Sequence, residues 1–456
     1  MFCLTFGRDS RDDAFGAAAV FRQGPMSIDS ENVRGGLKSA VSTPIFPMML
    51  DWRLAMRRSV SRMMIASLLV AASASGASAA PCSTSSAGFD RWLSQFKAEA
   101  RSHGLSSRAL SALDGVTFDQ SVINKDRGQS VFSQSFLEFS DRMAAKYRIE
   151  KARQLIGGKY KREFDRAERD FGVPGAIISA FWALETDFGA NNGNMETVRS
   201  LATLAYDCRR PEKFREELLD VLKIIDRGDL SASEMRGPWA GELGQTQFVP
   251  SVYLKYGIDY DGDGHADLIR SAPDVIGSSA NYLKALGWRR GEPWLKEVRV
   301  PESMDWSQAD LTIQHPLSEW QRMGVQLAGG QRLSGDLPAS LLLPMGRNGP
   351  AFLAFDNFKV FLEWNQSLIY ATTVAYLATR IDGTPPVSRG RGVSAFGYEQ
   401  TKELQSLLRA KGYDVGEVDG KLGLLTRASV KKVQQKLGLP ADSYPSPELV
   451  SRLRGR

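Results

Sequence analysis

The chain has 456 residues, of which 43% are hydrophobic, and its formal net charge at pH 7 is +6. A single hydrophobic core stops growing near roughly 250 to 300 residues, so this length excludes a one-core protein and predicts two folded units. The positive charge favours a polyanionic partner such as nucleic acid, anionic lipid or an acidic cell-wall polymer, but charge alone does not choose among them.

An export signal lies inside the N-terminal part of the chain. A basic stretch at 57–62 precedes the apolar run 63–72, and small residues follow at 77–80. This order is typical of a secretory signal peptide, and the apolar run is too short to cross a bilayer as a permanent helix. We therefore expect a cleaved signal peptide over 56–79 and a mature periplasmic protein that begins near Ala80.

Residues 1–55 precede that signal, although a signal peptide must lie near the N-terminus to work. Their composition is mixed and shows no sustained period. We expect this segment to be disordered or to lie ahead of the true start of translation, at Met56 or near Met48.

Only two cysteines, Cys82 and Cys208, remain after cleavage of the signal peptide. An oxidising compartment would let them form a disulfide bond. Two unlinked thiols are the alternative, and the sequence does not decide between these states.

Helical periodicity dominates the rest of the chain and predicts a mainly α fold with a minor β part. Apolar residues recur at three- and four-residue steps from 88 to about 157, and later helical patterns follow. The stretch 298–321 looks more extended. Glycine, proline, serine and arginine dominate 381–392, a composition typical of a linker. The predicted units are a main domain over 80–386, a linker over 387–395 and a small module over 396–456.

The helix predicted from Pro174 to about Thr186 carries a candidate catalytic carboxyl. Ile177, Phe181 and Leu184 share one face, and Glu185 lies at the edge of that buried stripe. Glycosidic cleavage needs a carboxylic acid that gives a proton to the leaving oxygen, and a carboxyl at a core boundary suits this role. A glutamate bonded to a neighbour at a helix end is the more ordinary interpretation of this segment taken alone.

Three motifs in chain order carry a family resemblance: Ala-Leu-Glu-Thr-Asp-Phe-Gly at 183–189, Gly-Gln-Thr-Gln-Phe-Val-Pro-Ser at 244–251, and Gly-Ser-Ser-Ala-Asn-Tyr at 277–282. Glutamine amides can bind sugar hydroxyls, although a polar turn looks similar. Together the motifs resemble the membrane-bound lytic murein transglycosylase B family over 88–382. The resemblance implies a lysozyme-like, α-rich domain that cleaves the MurNAc–GlcNAc β-1,4 bond of peptidoglycan without water and leaves 1,6-anhydromuramic ends.

The resemblance also implies roles for individual residues. Glu185 acts as acid on the leaving oxygen and then as base on the muramic 6-hydroxyl, so neither a second carboxylate nor a catalytic cofactor is required. Arg209 and Arg210 face anionic peptide or lactyl groups of the substrate. The residues implied to line the cleft or to lie near it are Gln245, Gln247, Tyr282, Asn365 and Tyr370. Ordinary packing or surface roles are the alternative for each of them.

Two positions depart from the pattern of the resembled family. Pro238 stands where serine is common, and Trp364 stands where tyrosine is common. Each change removes a hydroxyl, which puts the hydrogen bonding at those subsites in doubt but not the reaction.

A carboxylate-rich loop at 259–265 matches the start of a calcium-binding EF-hand. Asp259, Asp261 and Asp263 stand at alternate positions and Gly264 is sixth, but the twelfth position is Arg270 instead of glutamate. Members of the resembled family close a longer loop with an aspartate before a helix. The resemblance thus implies structural Ca²⁺ bound by Asp259, Asp261, Asp263, the His265 carbonyl and Asp274. A polar turn without metal is the alternative.

The C-terminal module carries a second resemblance. Helical patterns predict three helices, and Asp-Gly-Lys-Leu-Gly at 419–423 followed by Thr426 resembles the peptidoglycan-binding domain type 1. The Asp419–Gly420 turn and the Thr426 cap suit structural roles better than glycan contacts. On a short flexible linker, such a module would raise the concentration of the enzyme at its polymer and permit sliding along a strand.

Other functions compete with this interpretation. A hydrolytic muramidase would let water attack the same bond and leave reducing muramic ends. A non-catalytic wall-binding scaffold would use Glu185 only in its fold. The export signal and the lack of a recognisable binding motif disfavour a nucleic-acid binder, and scattered histidines without an HExxH motif argue against a catalytic metal. We expect a monomer that binds peptidoglycan glycan strands.

Overall fold

The structure is a computed structural model that describes residues 82–128, 134–392 and 395–455. The expected extension over 1–55 and the signal peptide over 56–79 lie outside the described residues. The α-helices in chain order are α1 (Phe89–Ser102), α2 (Ser107–Ser111), α3 (Gln120–Arg127), α4 (Phe136–Met143), α5 (Lys146–Gln154), α6 (Lys161–Phe171), α7 (Gly175–Thr186), α8 (Thr197–Tyr206), α9 (Pro211–Arg227), α10 (Pro250–Tyr256), α11 (Ala272–Ala285), α12 (Leu317–Arg322), α13 (Asp356–Trp364), α14 (Leu368–Ile381), α15 (Tyr398–Ala410), α16 (Leu424–Lys436) and α17 (Pro447–Leu453). A π-helical turn (Leu155–Lys159) follows α5, and a 3-10 turn (Trp306–Gln308) precedes α12.

The β part of the described chain is minor, so the prediction of a mainly α fold is confirmed. The strands are β1 (Met195–Glu196), β2 (Arg236–Gly237), β3 (Leu295–Arg299), β4 (His315–Pro316), β5 (Gln326–Leu327), β6 (Pro338–Leu342) and β7 (Phe352–Ala354). Strands β1 and β2 pair with each other, and the other five form an antiparallel sheet in the order β4-β6-β7-β3-β5. The sheet packs on a core of its own around Trp320 and Leu353.

Helix α7 lies at the centre of the main domain. All of its residues are buried, and it packs against α5, α6, α11 and α14. The sequence predicts only one buried face, and the difference arises because neighbouring helices cover the others. After Glu185 and Thr186, the residues Asp187, Phe188 and Gly189 take left-handed conformations in succession. This turn ends the helix directly beyond the candidate catalytic carboxyl.

A disulfide bond joins Cys82 to Cys208, with 5.0 Å between their Cα atoms. Beside it, the Asp207 carboxylate pairs with the Arg127 guanidinium at 2.7 Å. The first described residue is thereby held against the turn before α9.

The C-terminal module, helices α15 to α17, closes around a small core that includes Leu404, Val430 and Leu449. It also packs against the sheet. The buried Arg427 guanidinium donates hydrogen bonds to the carbonyls of Leu343 at 2.6 Å and Pro344 at 3.3 Å. The module is thus fixed to the main domain by buried polar contacts.

The expected linker over 387–395 also contacts the main domain where it is described. Ser388 N–H donates to Glu297 Oε1 at 2.8 Å, Arg389 pairs with Asp141 at 2.9 Å, and Arg391 N–H donates to the Asn348 carbonyl at 2.7 Å. The backbone and arginine side chains of these residues find partners in the main domain, and the linker over 387–395 stays a prediction. In the part of the chain that the structure describes, no helix is both long and apolar enough to cross a membrane.

Candidate active site

The Glu185 carboxyl is held by two side chains from the corner between α13 and α14. Glu185 is only 3% exposed, and its Oε1 accepts hydrogen bonds from the Trp364 indole N–H at 3.0 Å and the Tyr370 hydroxyl at 2.5 Å. Trp364 is the last residue of α13 and Tyr370 lies in the first turn of α14. The short connection between these helices therefore brings both donors to the same oxygen.

A cluster of aromatic rings holds Trp364 in place. Its ring centroid lies 4.2 Å from that of Phe181, 5.5 Å from Phe248 and 5.2 Å from Tyr282, and Tyr282 in turn lies 4.9 Å from Tyr256. Ring contacts of this kind restrict side-chain motion and exclude water. The donor to Glu185 is therefore rigidly positioned in apolar surroundings.

The loop that carries Gln245 is joined to the end of α7. Gln245 Oε1 accepts from the Trp182 indole at 2.9 Å, and the Gln245 carbonyl accepts from the Thr186 hydroxyl at 2.5 Å. Gly189 permits this approach, because a Cβ there would lie 2.3 Å from Gln245 Oε1. The amide of Gln245 also donates to the Ile269 carbonyl at 2.9 Å, so this side chain is committed to contacts within the protein.

Gln247 differs from Gln245 in having an unused acceptor. Its Nε2 donates to the Gly244 carbonyl at 2.8 Å, whereas its buried Oε1 has no hydrogen-bond partner among the described residues. The backbone of Gln247 takes a left-handed conformation with φ of 53°. A polar atom left in this state is available to a ligand that brings its own donor.

The remaining residues of the expected substrate set have partners within the protein. Arg209 and Arg210 both pair with the buried carboxylate of Asp126, with 3.0 Å between Arg209 Nη1 and Asp126 Oδ2. Asn365 Oδ1 accepts the backbone N–H of Ser367 at 2.9 Å and so caps the turn into α14. The structure thus brings Tyr370 to Glu185 and Tyr282 to Trp364. The two arginines lie in an ion-pair network with Asp126.

The acidic loop brings three carboxylates together. Oxygen atoms of Asp259, Asp261 and Asp263 lie within 4.8 Å of one another, and all three side chains are exposed. The Asp259 carboxylate accepts the backbone N–H groups of Gly262, Asp263 and Gly264 at 2.7 to 3.1 Å. These bonds, that from Gly264 foremost, lower the pKa of Asp259, so the carboxylate stays ionised.

Asp274 has a different place from the other expected ligands. It is fully buried, and its two oxygens accept the backbone N–H groups of Tyr260 at 2.6 Å, Asp261 at 3.3 Å and Asp267 at 2.7 Å. Burial raises the pKa of this carboxyl to about 6. In the structure Asp274 therefore fastens the loop to α11 and lies outside the group of three.

A second buried carboxyl near Glu185 is absent from the sequence prediction. Glu242 is 8% exposed, burial raises its pKa, and the Glu185 carboxylate raises it further while Lys213 lowers it. The sequence offered a weak signal, since Glu242 lies two residues before the second motif. The sequence analysis singled out Trp364 only for a missing hydroxyl and did not predict that its indole N–H donates to Glu185.

Comparison with known families accounts for this arrangement. Residues 88–379 match the model of the transglycosylase SLT domain. The chain belongs to the SLT transglycosylase family. Residues 397–453 match the putative peptidoglycan binding domain, so both resemblances drawn from the sequence are confirmed.

One relative is a lytic murein transglycosylase. The membrane-bound lytic murein transglycosylase B of Escherichia coli (strain K12) is 32% identical over 229 residues, which are 50% of this chain and 62% of that relative. The match therefore spans less than two thirds of the relative's own length.

Solved structures of the same type agree over more of the chain. SltB3 from Pseudomonas aeruginosa in complex with NAG-anhNAM-pentapeptide is 40% identical with a TM-score of 0.74, covering 80% of this chain and 99% of that one. The Escherichia coli lytic transglycosylase SLT35 in complex with calcium is 26% identical with a TM-score of 0.55, covering 64% and 92%. The expected lysozyme-like catalytic fold is thereby confirmed.

Proposed function

We propose that the protein is a peptidoglycan lytic transglycosylase in which Glu185 acts first as an acid and then as a base. The observation that carries this proposal is the buried Glu185 carboxyl, whose Oε1 is held by Trp364 and Tyr370. The SLT family match, the wall-binding module and the muropeptide bound by SltB3 support peptidoglycan as the substrate.

The two steps use the two oxygens of Glu185 differently. Because Oε1 already accepts two hydrogen bonds, Oε2 is the oxygen that carries the proton. Glu185 gives this proton to the GlcNAc oxygen as the bond from that oxygen to muramic C1 breaks. The resulting carboxylate takes the proton of the muramic 6-hydroxyl as O6 bonds to C1, which closes the 1,6-anhydro ring and restores the acid.

The surroundings of Glu185 favour this intramolecular attack over hydrolysis. The carboxyl is 3% exposed, and aromatic rings cover the side chain that holds it. A site that excludes water disfavours water as the nucleophile, whereas the 6-hydroxyl arrives with the substrate itself. The hydrolytic muramidase is the second candidate, and its product distinguishes it.

The other expected site residues take two kinds of role. We assign Gln247, through its unused Oε1, and Tyr282, through its ring, to direct contact with the glycan. Gln245 and Asn365 act by holding the backbone around Glu185. Arg209 and Arg210 act through their ion pairs with Asp126, which stabilise the turn before α9.

We further propose that the acidic loop binds structural Ca²⁺. The carboxylates of Asp259, Asp261 and Asp263 and the His265 carbonyl are hard oxygen ligands of the type that Ca²⁺ prefers. Oxygen atoms of the three carboxylates lie within 4.8 Å of one another, and SLT35, which shares the fold, was solved in complex with calcium. Asp274 stabilises the loop that carries these ligands, because its carboxylate accepts the backbone N–H groups of Tyr260 and Asp261.

The proposed substrate, together with the expected export signal, supports a location in the periplasm. A peptidoglycan enzyme with an export signal over 56–79 acts in the periplasm, as a monomer that needs no cofactor for catalysis. The C-terminal module, packed against the sheet, binds the same polymer and keeps it near the catalytic domain.

The decisive experiment is product analysis. Protein beginning at Ala80 is incubated with purified sacculi, and the soluble products are examined by mass spectrometry. We expect 1,6-anhydromuramic ends, and none from Glu185→Gln. Reducing muramic ends would establish a muramidase, and no release by the wild-type protein would establish a binding scaffold.

A further inference from the structure

The turn that ends α7, directly after Glu185 and Thr186, has an uncommon backbone conformation. Asp187 and Phe188 have φ values of 53° and 60°, and Gly189 has a φ of 82°. This left-handed region is sterically disfavoured for residues that carry a Cβ, and a bulky residue such as Phe188 is an outlier there. Such a conformation persists only when the surrounding structure holds it. The turn beside Glu185 therefore depends on its neighbours.

A movement of this turn would reach Glu185 by two routes. Glu185 and Thr186 are the last residues of α7, so the turn sets how the helix ends. The Thr186 hydroxyl also accepts the Gly189 N–H at 2.9 Å and donates to the Gln245 carbonyl at 2.5 Å. The turn is thereby joined to the loop of the second motif. A change in the turn would shift the Glu185 carboxyl relative to its surroundings.

Helix α5 supplies side chains that hold the turn from outside α7. Arg148 is only 6% exposed, and its Nε donates to Asp187 Oδ1 at 3.1 Å. The Tyr147 hydroxyl donates to Asp187 Oδ2 at 3.2 Å, so both carboxylate oxygens are engaged. Arg148 is itself anchored, because its Nη1 donates to the carbonyls of Arg142 at 3.3 Å and Met143 at 3.2 Å. A guanidinium fixed in this way is a rigid partner for a carboxylate.

Helix α5 also contacts the helix that carries a donor to Glu185. It packs against both α7 and α14, and Tyr370 in the first turn of α14 donates to Glu185 Oε1 at 2.5 Å. At the other end of α14, Arg153 of α5 donates to the carbonyls of Arg380 at 2.6 Å and Ile381 at 2.9 Å, as basic side chains commonly do at helix C-termini. Helix α5 therefore connects the end of α7 to α14.

Resting on the proposed function, we propose that Arg148 is a positioning residue for Glu185. Its ion pair with Asp187 holds the left-handed turn and thereby keeps the Glu185 carboxyl within hydrogen-bonding distance of the Tyr370 hydroxyl. Arg148 acts through Asp187 and not by contact with the glycan. Such a role has a large effect on rate, because a displacement of about 1 Å at a reacting group can cost about a hundredfold.

The kinetic test removes the cation and keeps an unbranched side chain. In Arg148→Met we expect kcat for glycan cleavage to fall about tenfold or more, with KM changed less than about twofold. The fall should be smaller in a Tyr370→Phe background, because the hydrogen bond that Arg148 maintains is already absent there. A merely structural role would lower kcat by the same factor in both backgrounds. That result, or an unchanged kcat, would overturn the proposal.

Asp187→Asn tests the same ion pair from its other side. Asparagine tolerates the left-handed backbone as aspartate does, so the variant removes the charge and keeps the turn residue. If the pair acts as one unit, Arg148→Met combined with Asp187→Asn should be no slower than the slower single variant. Losses that multiply would overturn the unit. If Arg148→Met fails to fold, Asp187→Asn alone carries the comparison with Tyr370→Phe.

The matched control is Arg215→Met. Arg215 on α9 is also partly buried and pairs with Glu99 on α1, but neither helix carries Glu185 or its two donors. We expect its kcat to stay unchanged. An equal fall in Arg148→Met and Arg215→Met would show a general effect of losing an ion pair and would overturn the role given to Arg148.

Amide hydrogen exchange observes the turn without catalysis. The N–H groups of Asp187 and Phe188 donate to the carbonyls of Ala183 at 3.1 Å and Trp182 at 3.3 Å, and local opening of the turn would expose them. We expect both amides to exchange faster in Arg148→Met, with the amides of α11 unchanged. Unchanged exchange at the turn would overturn the proposal and leave the proposed function standing. Reducing muramic ends from the wild-type protein would overturn the proposed function alone, because kcat counts every bond cleaved.

Discussion

The site around Glu185 and the acidic loop at 259–265 both use carboxyl groups, but for opposite purposes. Glu185 and Glu242 are buried, and the donors to Glu185 are the neutral side chains of Trp364 and Tyr370. The Asp259 carboxylate is exposed and accepts three backbone N–H groups within its loop. Burial favours a carboxyl that holds a proton, whereas exposure and backbone donors favour one that stays ionised. The fold thus separates proton transfer from cation binding.

Loss of the catalytic carboxyl has the largest expected effect on this comparison. Glu185→Gln removes the proton that is transferred, and general acid and base catalysis contributes about 10²- to 10⁴-fold. We expect at least that loss in the rate of muropeptide release from sacculi. Asp259→Asn serves as control and should retain activity at temperatures where it is folded. Comparable losses of activity in both variants would show that the acidic loop also takes part in catalysis, which contradicts the comparison.

Removal of either hydrogen-bond donor to Glu185 has the second-largest expected effect on activity. Tyr370→Phe and Trp364→Phe each remove one hydrogen bond to Oε1, and a hydrogen bond to a charged group is worth about 1.5 to 3 kcal/mol. We expect kcat to fall about tenfold or more in each variant, with a smaller change in KM. Tyr256→Phe removes a hydroxyl from the same aromatic cluster without touching Glu185 and should leave kcat unchanged; a fall there would point to packing instead.

The acidic loop should respond to calcium and not to substrate. A ligand that binds only the folded state raises the unfolding temperature by mass action, so millimolar Ca²⁺ should raise the Tm of the wild-type protein by several degrees. Asp259→Asn should abolish this increase. Asp305→Asn, which alters an exposed aspartate that accepts the Ser307 N–H, should keep it. Equal calcium effects on all three proteins would place the ion elsewhere.

The pH dependence of stability gives the smallest expected effect. Burial raises the pKa of Glu217 above the ordinary glutamate value of 4.5, so its contribution to stability is fully present below pH 4.5. That contribution is lost as the pH rises through the folded-state pKa, because the unfolded chain releases the proton first. Thermal unfolding at a series of pH values should show a flatter decline in Glu217→Gln. A steeper decline would reverse the sign assigned to this group.

Much of the fold follows from local sequence patterns. Helical periodicity predicts α7 almost to its observed bounds, Gly175–Thr186, and two ordered motif sets identify both families. The burial of α7 on all sides does not follow, because α14, which covers it, lies far along the chain. The contacts of the described linker residues also escape prediction, since composition alone does not show that Arg389 meets Asp141.

The catalytic site also has features that the sequence predicts and features that only the structure reveals. The motifs locate Glu185, but its contact with Trp364 joins residues 179 positions apart and appears only once the chain is folded. In the sequence, Glu242 looks like an ordinary polar residue near a motif until its burial is known. Conversely, the arginines at 209 and 210 look available in the sequence, and only the structure supplies their partner, Asp126.

The disulfide bond between Cys82 and Cys208 has a consequence for a damaged chain. It closes a loop of 126 positions that contains helices α1 to α8. A protease that cuts once anywhere inside this loop leaves two fragments that are still covalently joined. Such a nicked protein would run as one species on a denaturing gel without reductant and as two species with it.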